Sequence, residues 1–211
     1  MKRAIAVGLW FWALTPITRG QSTLQMLIGF DHLPDMSAVQ WMRRETADLF
    51  SEAGLTLAWR QRGISQEMKP TEPAVSVRFH GHCQLEPHLW WPLETGPLAS
   101  TQVMEGEIRP FIEVNCDRAA AVVSQDRGPF SEPLVTRAFG RALGRLVAHE
   151  LYHYLTQSAV HGETELFSRV MRPGALTRES VRFEAGEIAA LRQGVSQRAN
   201  SARLSPIADG L

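Results

Sequence analysis

Residues 146–156 read LVAHELYHYLT, and this segment sets the architecture expected of the chain, because an H-E-x-x-H motif stands inside an amphipathic pattern. His149 and His153 are four residues apart, just over one helical turn, so both imidazoles lie on one face and can share a metal ion. Glu150 is rotated by about 100° from His149, beside the metal without being a ligand. The apolar spacing predicts a helix over Pro133–Thr156. The segment therefore predicts a zinc-binding helix.

A third ligand has to come from beyond this helix. His161 follows His153 by eight residues, after a polar Thr-Gln-Ser break that ends the helix. Three neutral imidazoles and a water complete a catalytic zinc site. Two alternatives stay open: a metal-free helix in which Glu150 pairs with an arginine such as Arg145, and a gluzincin-type site completed by a downstream carboxylate. The candidates for that carboxylate are Glu179, Glu184 and Glu187.

Composition and charge exclude several classes of protein. The chain has 211 residues, of which 44% are hydrophobic and 21% charged, enough for one well-packed core. The 22 basic and 22 acidic side chains leave no net charge, so nothing favours nucleic acid as a partner. We expect a monomer.

The N-terminus has the pattern of a secretory signal peptide at 1–20. Lys2 and Arg3 precede an apolar run that is shorter than a spanning helix, and Gly20 offers a cleavage point. We expect a single mature domain at 21–211, secreted or periplasmic, with no stable membrane span after signal cleavage. Export to an oxidising compartment favours pairing of the two cysteines.

Hydrophobic periodicity predicts the order βαβββ before the long helix and one more helix after it. Asp35 or Ser37 caps the first helix, and Gly54 stops it. The polar tail at 199–211 is expected to fray. The predicted elements are a strand at Thr23–Phe30, a helix at Met36–Ala53, strands at Thr56–Trp59, Val75–Phe79, Pro97–Val103 and Phe111–Val114, and a last helix at Glu184–Gln197.

The H-E-x-x-H helix, the later histidine and a methionine in SRVMRPG together resemble the metzincin clan of zinc-dependent peptidases. The resemblance implies an α+β fold: a mixed five-stranded twisted sheet with one antiparallel edge strand, a backing helix, the H-E-x-x-H active-site helix and a small C-terminal helical subdomain. It implies zinc held by His149, His153 and His161, Glu150 as general base, and Met171 in the turn beneath the metal. The segments FHGHC, PFIEVNCDR, AHELYH and VMRP are also similar to secreted bacterial metzincin-like proteins.

The chain departs from the usual metzincin signature H-E-x-x-H-x-x-G-x-x-H in two ways. Thr156 occupies the glycine position, and Ser158 and Ala159 stand where the third histidine is expected. Because His161 comes two residues later, the helix has to end differently. The departure keeps a second function open, that of a catalytically inactive zinc-containing binding protein.

The implied activity is that of a secreted zinc metalloendopeptidase with one zinc ion. Glu150 accepts a proton from the attacking water and returns it to the leaving amine. The peptide lies extended along the edge strand near residues 97–103 and adds a strand to the sheet. Tyr152 or Tyr154 is a candidate for stabilising the oxyanion.

A second group of metal-ligating residue types stands in the sequence HGHCQLEPH. A structural metal site at His80, His82 and His88 is one interpretation. The preferred role of Cys83 is a disulfide with Cys116. The metzincin resemblance implies this pairing, because it makes the third and fifth strands parallel neighbours whose ends lie close together.

Overall fold

The computed structural model describes residues 22–61, 73–85, 96–125, 132–169 and 171–204. The predicted signal peptide lies outside these residues. The helices and strands, in chain order, are β1 (Ser22–Phe30), α1 (Met36–Ser51), β2 (Leu55–Gln61), β3 (Ala74–His80), β4 (Ala99–Met104), β5 (Glu107–Asn115), α2 (Cys116–Gln125), α3 (Glu132–Thr156), α4 (Pro173–Thr177) and α5 (Ala185–Leu204).

The strands form one mixed five-stranded sheet in the order β2-β1-β3-β5-β4. β1 pairs in parallel with β2 and β3, and β3 pairs in parallel with β5. β4 runs antiparallel to β5 and lies at the edge of the sheet. The α+β architecture, the βαβββ order and the single antiparallel edge strand are therefore as predicted from the sequence.

Helix α1 backs helix α3 at very short range. Gly140 and Gly144 of α3 face α1, and a β-carbon at Gly144 would lie only 2.8 Å from the carbonyl oxygen of Met42. The hydroxyl of Thr46 donates to that carbonyl at 2.8 Å and lies 3.2 Å from the carbonyl of Gly144. The backbones of the two helices are therefore in close contact. Any side chain larger than the hydrogen of glycine at these two positions would prevent that approach.

The core continues from this helix pair into the sheet. Alternate residues of β3 and β5 are buried, as expected for strands with a neighbour on each side. The apolar stripe of α3 is almost completely buried, which accounts for its strong helical period. Its members are Phe139, Leu143, Leu146, Val147, Leu151 and Leu155.

Strand β5 and helix α2 differ from the sequence prediction. β5 begins at Glu107, four residues before the predicted start, and includes Pro110. Pro110 lies where the pairing of β4 with β5 is irregular, between Ile108 and Ile112, and pairing with β3 begins only at Phe111. The missing N–H of Pro110 therefore interrupts no regular ladder. Helix α2 was not predicted, because the strand runs into it without a breaker.

Two further differences lie in the C-terminal part. Helix α4 occupies a segment that we expected to be a loop, and Pro173 takes its first position, where a proline is well tolerated. Helix α5 continues to Leu204, past the predicted end at Gln197 and into the tail expected to fray from residue 199, because alanine, arginine and leucine there favour the helix. No helix among the described residues is long and apolar enough to cross a membrane.

Candidate metal centre

Three histidines converge at the C-terminal half of α3. His149 and His153 come from the helix and His161 from the loop that follows it, and one ring nitrogen from each lies within 4.8 Å of the others. His149 and His153 are buried, whereas His161 is exposed. Within the described parts of the chain this is the one group of three metal-ligating side chains close enough to hold an ion.

Backbone carbonyls fix the orientation of both buried rings. The Nδ1 of His149 lies 2.7 Å from the carbonyl oxygen of Leu166, and the Nδ1 of His153 lies 2.5 Å from that of Ser158. A carbonyl only accepts, so each Nδ1 carries the hydrogen and each Nε2 keeps a lone pair. Burial lowers the pKa of both imidazoles and so favours their neutral forms. These bonds leave both Nε2 atoms available as metal ligands.

The two Nε2 atoms face each other at 3.1 Å. Two neutral acceptors at that distance repel, unless a cation lies between their lone pairs. Tetrahedral zinc with Zn–N bonds near 2.1 Å separates two ligand nitrogens by about 3.4 Å. The arrangement of His149 and His153 thus fits a divalent ion, and His161 supplies a third nitrogen.

Glu150 is buried beside the histidines and bonds to the edge strand. Its Oε2 accepts a hydrogen bond from the hydroxyl of Thr101 at 2.5 Å. Burial raises the pKa of the Glu150 carboxyl, and the bond from Thr101 opposes that shift. Glu150 does not pair with Arg145, the arginine named as a possible partner in the metal-free alternative. Arg145 instead bonds Glu45 of α1 at 2.8 Å.

A cavity of about 550 Å³ opens onto these side chains. We call it the histidine cavity: its wall contains the three histidines, Glu150, the start of β4, and residues of α2 and of the segment after α3. Met171 lies in the same wall and is partly buried. The cavity could accept several residues of an extended chain beside the metal-ligating atoms.

The turn after α3 explains how the third histidine reaches the site. Helix α3 ends at Thr156, and the next residue, Gln157, takes a left-handed conformation with φ 52°. The Gln157 side chain accepts from the N–H of Ile108 at 3.1 Å and donates to its carbonyl at 2.9 Å. The reversal thus occurs one residue after the usual glycine position, and His161 still reaches the cluster.

Neither a protein-family model nor a curated protein matches the chain. Among solved structures it is similar to archaemetzincin from Methanopyrus kandleri. The two are 13% identical, the match covers 85% of this chain and 99% of that one, and the TM-score is 0.49. The geometry of the three histidines stands independently of this likeness.

The downstream carboxylates have other positions. Glu187 accepts from the hydroxyl of Thr164 at 2.6 Å and from the backbone N–H of Glu184 at 2.7 Å, which caps the start of α5. Glu179 and Glu184 are exposed. None of these three carboxylates joins the histidine cluster, so the described residues give the gluzincin alternative no ligand.

Both tyrosines of helix α3, Tyr152 and Tyr154, pack away from the histidine cavity. The Tyr152 ring packs on Phe167 with centroids 3.8 Å apart, and the guanidinium of Arg198 lies 3.8 Å from the Tyr154 ring centroid. Neither tyrosine lines the histidine cavity. An oxyanion role for either is therefore unsupported, because the C-terminal segments occupy that side of α3.

The predicted disulfide between Cys83 and Cys116 is present, with Cα atoms 4.7 Å apart. The pairing follows from the sheet, because β3 and β5 are parallel neighbours and His80 lies opposite Asn115. The two cysteines follow these strand ends and are buried. The bridge ties the end of β3 to the start of α2.

The second histidine group does not converge on a common point. The Nδ1 of His80 lies 3.1 Å from Asp31, and the ring of His82 stacks on that of His32. Cys83 is in the disulfide and offers no thiolate, while His88 lies outside the described residues. The structure thus brings no second set of three ligands together within the described ranges.

The wall of the histidine cavity includes Thr101, Arg118 and Arg169, for which the sequence predicted no individual role. Thr101 contacts a residue 49 positions away, so no local pattern could identify it. The two arginines stand among many in the sequence, and only the folded chain shows that they share a wall with the histidines.

Proposed function

We propose that this chain is an exported zinc metallopeptidase of metzincin type that hydrolyses peptide bonds. His149, His153 and His161 hold the zinc ion, and Glu150 is the general base. The proposal depends mainly on one observation, the Nε2 atoms of His149 and His153 that face each other at 3.1 Å beside a third histidine. Such a pair is costly without a cation and favourable with one.

When bound, zinc supplies Lewis acidity, which acidifies water and polarises a carbonyl. The chain's own residues do the rest. The carbonyls of Leu166 and Ser158 hold the imidazole rings with their Nε2 atoms toward the site. Glu150 takes a proton from the attacking water and delivers it to the leaving nitrogen. Thr101 bonds one oxygen of Glu150 and leaves the other for this transfer.

The peptide binds along β4. This strand is at the sheet edge, and residues 97–101 at its start line the histidine cavity. Its far side has no strand partner among the described residues. Val103 and Met104 are 57% and 51% exposed, so apolar side chains are available beside the open backbone. An extended peptide gains main-chain hydrogen bonds there, whatever its sequence.

The test combines metal analysis with one substitution. Protein purified without chelator should contain one zinc per chain, and Glu150→Ala should retain the metal while peptide cleavage falls by at least about a hundredfold. His149→Ala, as the matched control, should lose both zinc and cleavage. A wild-type chain without zinc would refute the metal site, and an active Glu150→Ala would refute the base assignment.

The second candidate is a zinc-containing binding protein without catalysis. The observation that favours it is Thr156 at the usual glycine position, where its hydroxyl donates to the carbonyl of Tyr152 at 2.8 Å within the last turn of α3. Full zinc occupancy together with no cleavage of a broad peptide library would support this function over the first.

A further inference from the structure

Two arginines in the wall of the histidine cavity lack a carboxylate partner. Arg118 comes from α2, beside the start of β4, and Arg169 comes from the segment that also contains Met171. Neither forms an ion pair with a described residue. Other arginines of the chain do, as Arg145 does with Glu45.

The guanidinium of Arg118 uses only part of its hydrogen-bonding capacity. One terminal nitrogen donates to the carbonyl of Pro97 at 3.0 Å, and Pro97 itself lines the histidine cavity. Its Nε is buried and has no hydrogen-bond partner among the described residues. A partly buried guanidinium in this state keeps its full charge and has unused donors.

Arg169 differs from Arg118 because its side chain is exposed. It lies at the cavity next to Ser168, on the chain between His161 and Met171. An exposed arginine can reorient toward a ligand that arrives from solvent. The cavity thus has one cation held in its wall and one that can close on a ligand.

The charges of the histidine cavity do not balance. Among the described residues that line it, Glu150 is the one carboxylate, against the two guanidinium groups. Glu150 is already bonded to Thr101. The cavity is therefore positive before any metal binds, and a divalent ion increases that charge. A concave positive surface concentrates anionic ligands.

We propose that the histidine cavity selects peptides with a carboxylate close to the scissile bond, and that Arg118 and Arg169 bind that carboxylate. This inference rests on the proposed peptidase function and adds its substrate class. Guanidinium groups match carboxylates with paired, charge-assisted hydrogen bonds. The carboxylate belongs either to an aspartate or glutamate side chain or to the C-terminus of the peptide.

The experiment uses zinc-loaded protein and two degenerate hexapeptide libraries, one with both ends blocked and one with a free C-terminus, with mass spectrometry of the products. If a side chain is recognised, the blocked library should show Asp and Glu over Asn and Gln at one subsite by at least about tenfold. If the terminus is recognised, the free library should instead be cleaved at least about tenfold faster.

The variants assign the preference to the two arginines. Arg169→Gln and Arg118→Gln should each reduce the preference, and the double variant should abolish it while uncharged peptides are still cleaved. Arg172→Gln is the matched control, because Arg172 is exposed and does not line the histidine cavity. Since Arg118 is partly buried, a thermal melt checks that the Arg118→Gln variant folds. If it does not fold, Arg169→Gln tests the proposal alone, because Arg169 is exposed.

The outcomes separate this inference from the proposed function. Cleavage without any preference for carboxylates, or a preference unchanged in the double variant, overturns the inference and leaves the peptidase intact. If no peptide is cleaved, the same libraries are captured on immobilised zinc-loaded protein. Enrichment of carboxylate-bearing peptides that depends on the arginines then supports the binding site without catalysis, and equal capture overturns it.

Discussion

The hydroxyl of Thr101 donates to Glu150 Oε2 at 2.5 Å, across the boundary between the edge strand β4 and helix α3. The same hydroxyl lies 3.2 Å from the backbone carbonyl of Glu150. Because Thr101 is held by the strand, β4 fixes the side-chain direction of the proposed base. A change in β4 would therefore alter the position of the Glu150 carboxylate.

Thr101→Val tests this positioning role, because valine keeps the shape of threonine and removes the hydroxyl. A hydrogen bond to a charged group contributes about 1.5–3 kcal/mol, so we expect kcat to fall about 10- to 100-fold. KM and zinc content should change little. Thr101→Ser keeps the hydroxyl and should retain most of the activity. Equal kcat values in the valine and serine variants would remove Thr101 from the mechanism.

His161→Ala tests the third ligand. Loss of an outer partner of a metal ligand already costs about 10- to 100-fold in metal affinity, and loss of the ligand itself should cost more. Competition with a fluorescent chelator measures the change. His80→Ala is the matched control, since His80 bonds Asp31 far from the cluster, and its zinc affinity should equal that of the wild type. Unchanged affinity in His161→Ala would contradict the three-histidine site.

Gly140→Ala tests the short approach of α1 and α3. A β-carbon at Gly140 would collide with the β-carbon of Trp41 and the carbonyl of Ala38, so we expect a net loss of about 1–3 kcal/mol in the free energy of unfolding. Gly186→Ala in α5 is the control, because a β-carbon there meets no atom within 4 Å. It should be neutral or stabilise by up to about 1 kcal/mol. Urea unfolding measures the free energy of unfolding of both variants. Equal values for Gly140→Ala and Gly186→Ala would contradict the close packing of α1 on α3.

The disulfide should contribute mainly through the unfolded chain. Cys83 and Cys116 are 33 residues apart, and closing a loop of this length is worth about 3–4 kcal/mol in the chain-entropy model. The double variant Cys83→Ala/Cys116→Ala should lose that amount in urea unfolding. A reductant should destabilise the wild type alone. If it affects both proteins equally, the bridge is not the source of the stability.

The metal-binding helix could be predicted because its signals are local. His149, Glu150 and His153 follow the same helical period as the apolar residues around them, so spacing alone placed the two histidines on one face. Local signals also predicted two strands: β1 is an apolar run that ends at Asp31 and Pro34, and apolar and polar residues alternate in β3. The position of His161 required only that the helix stop soon after Thr156, which its polar sequence indicated.

The remaining features depend on contacts between distant residues. The ion pair of Arg145 with Glu45 joins residues 100 positions apart, whereas the sequence offered the nearby Glu150 as a partner of Arg145 in the metal-free alternative. Pro110 read as a strand breaker, although it lies where β5 has a neighbour on one side only. The partners of such residues could not be predicted, because they come from distant parts of the sequence and meet only in the folded chain.

The side-chain amide of Gln157 bonds the N–H and the carbonyl of Ile108, at a point of β5 that β3 does not reach. The side-chain amide takes the place of a backbone peptide group and continues the hydrogen bonding of β5 for one residue. A glutamate there would keep the acceptor and lose the donor. Replacing the amide NH2 of Gln157 with an oxygen would therefore remove one of the bonds that hold the start of the loop containing His161.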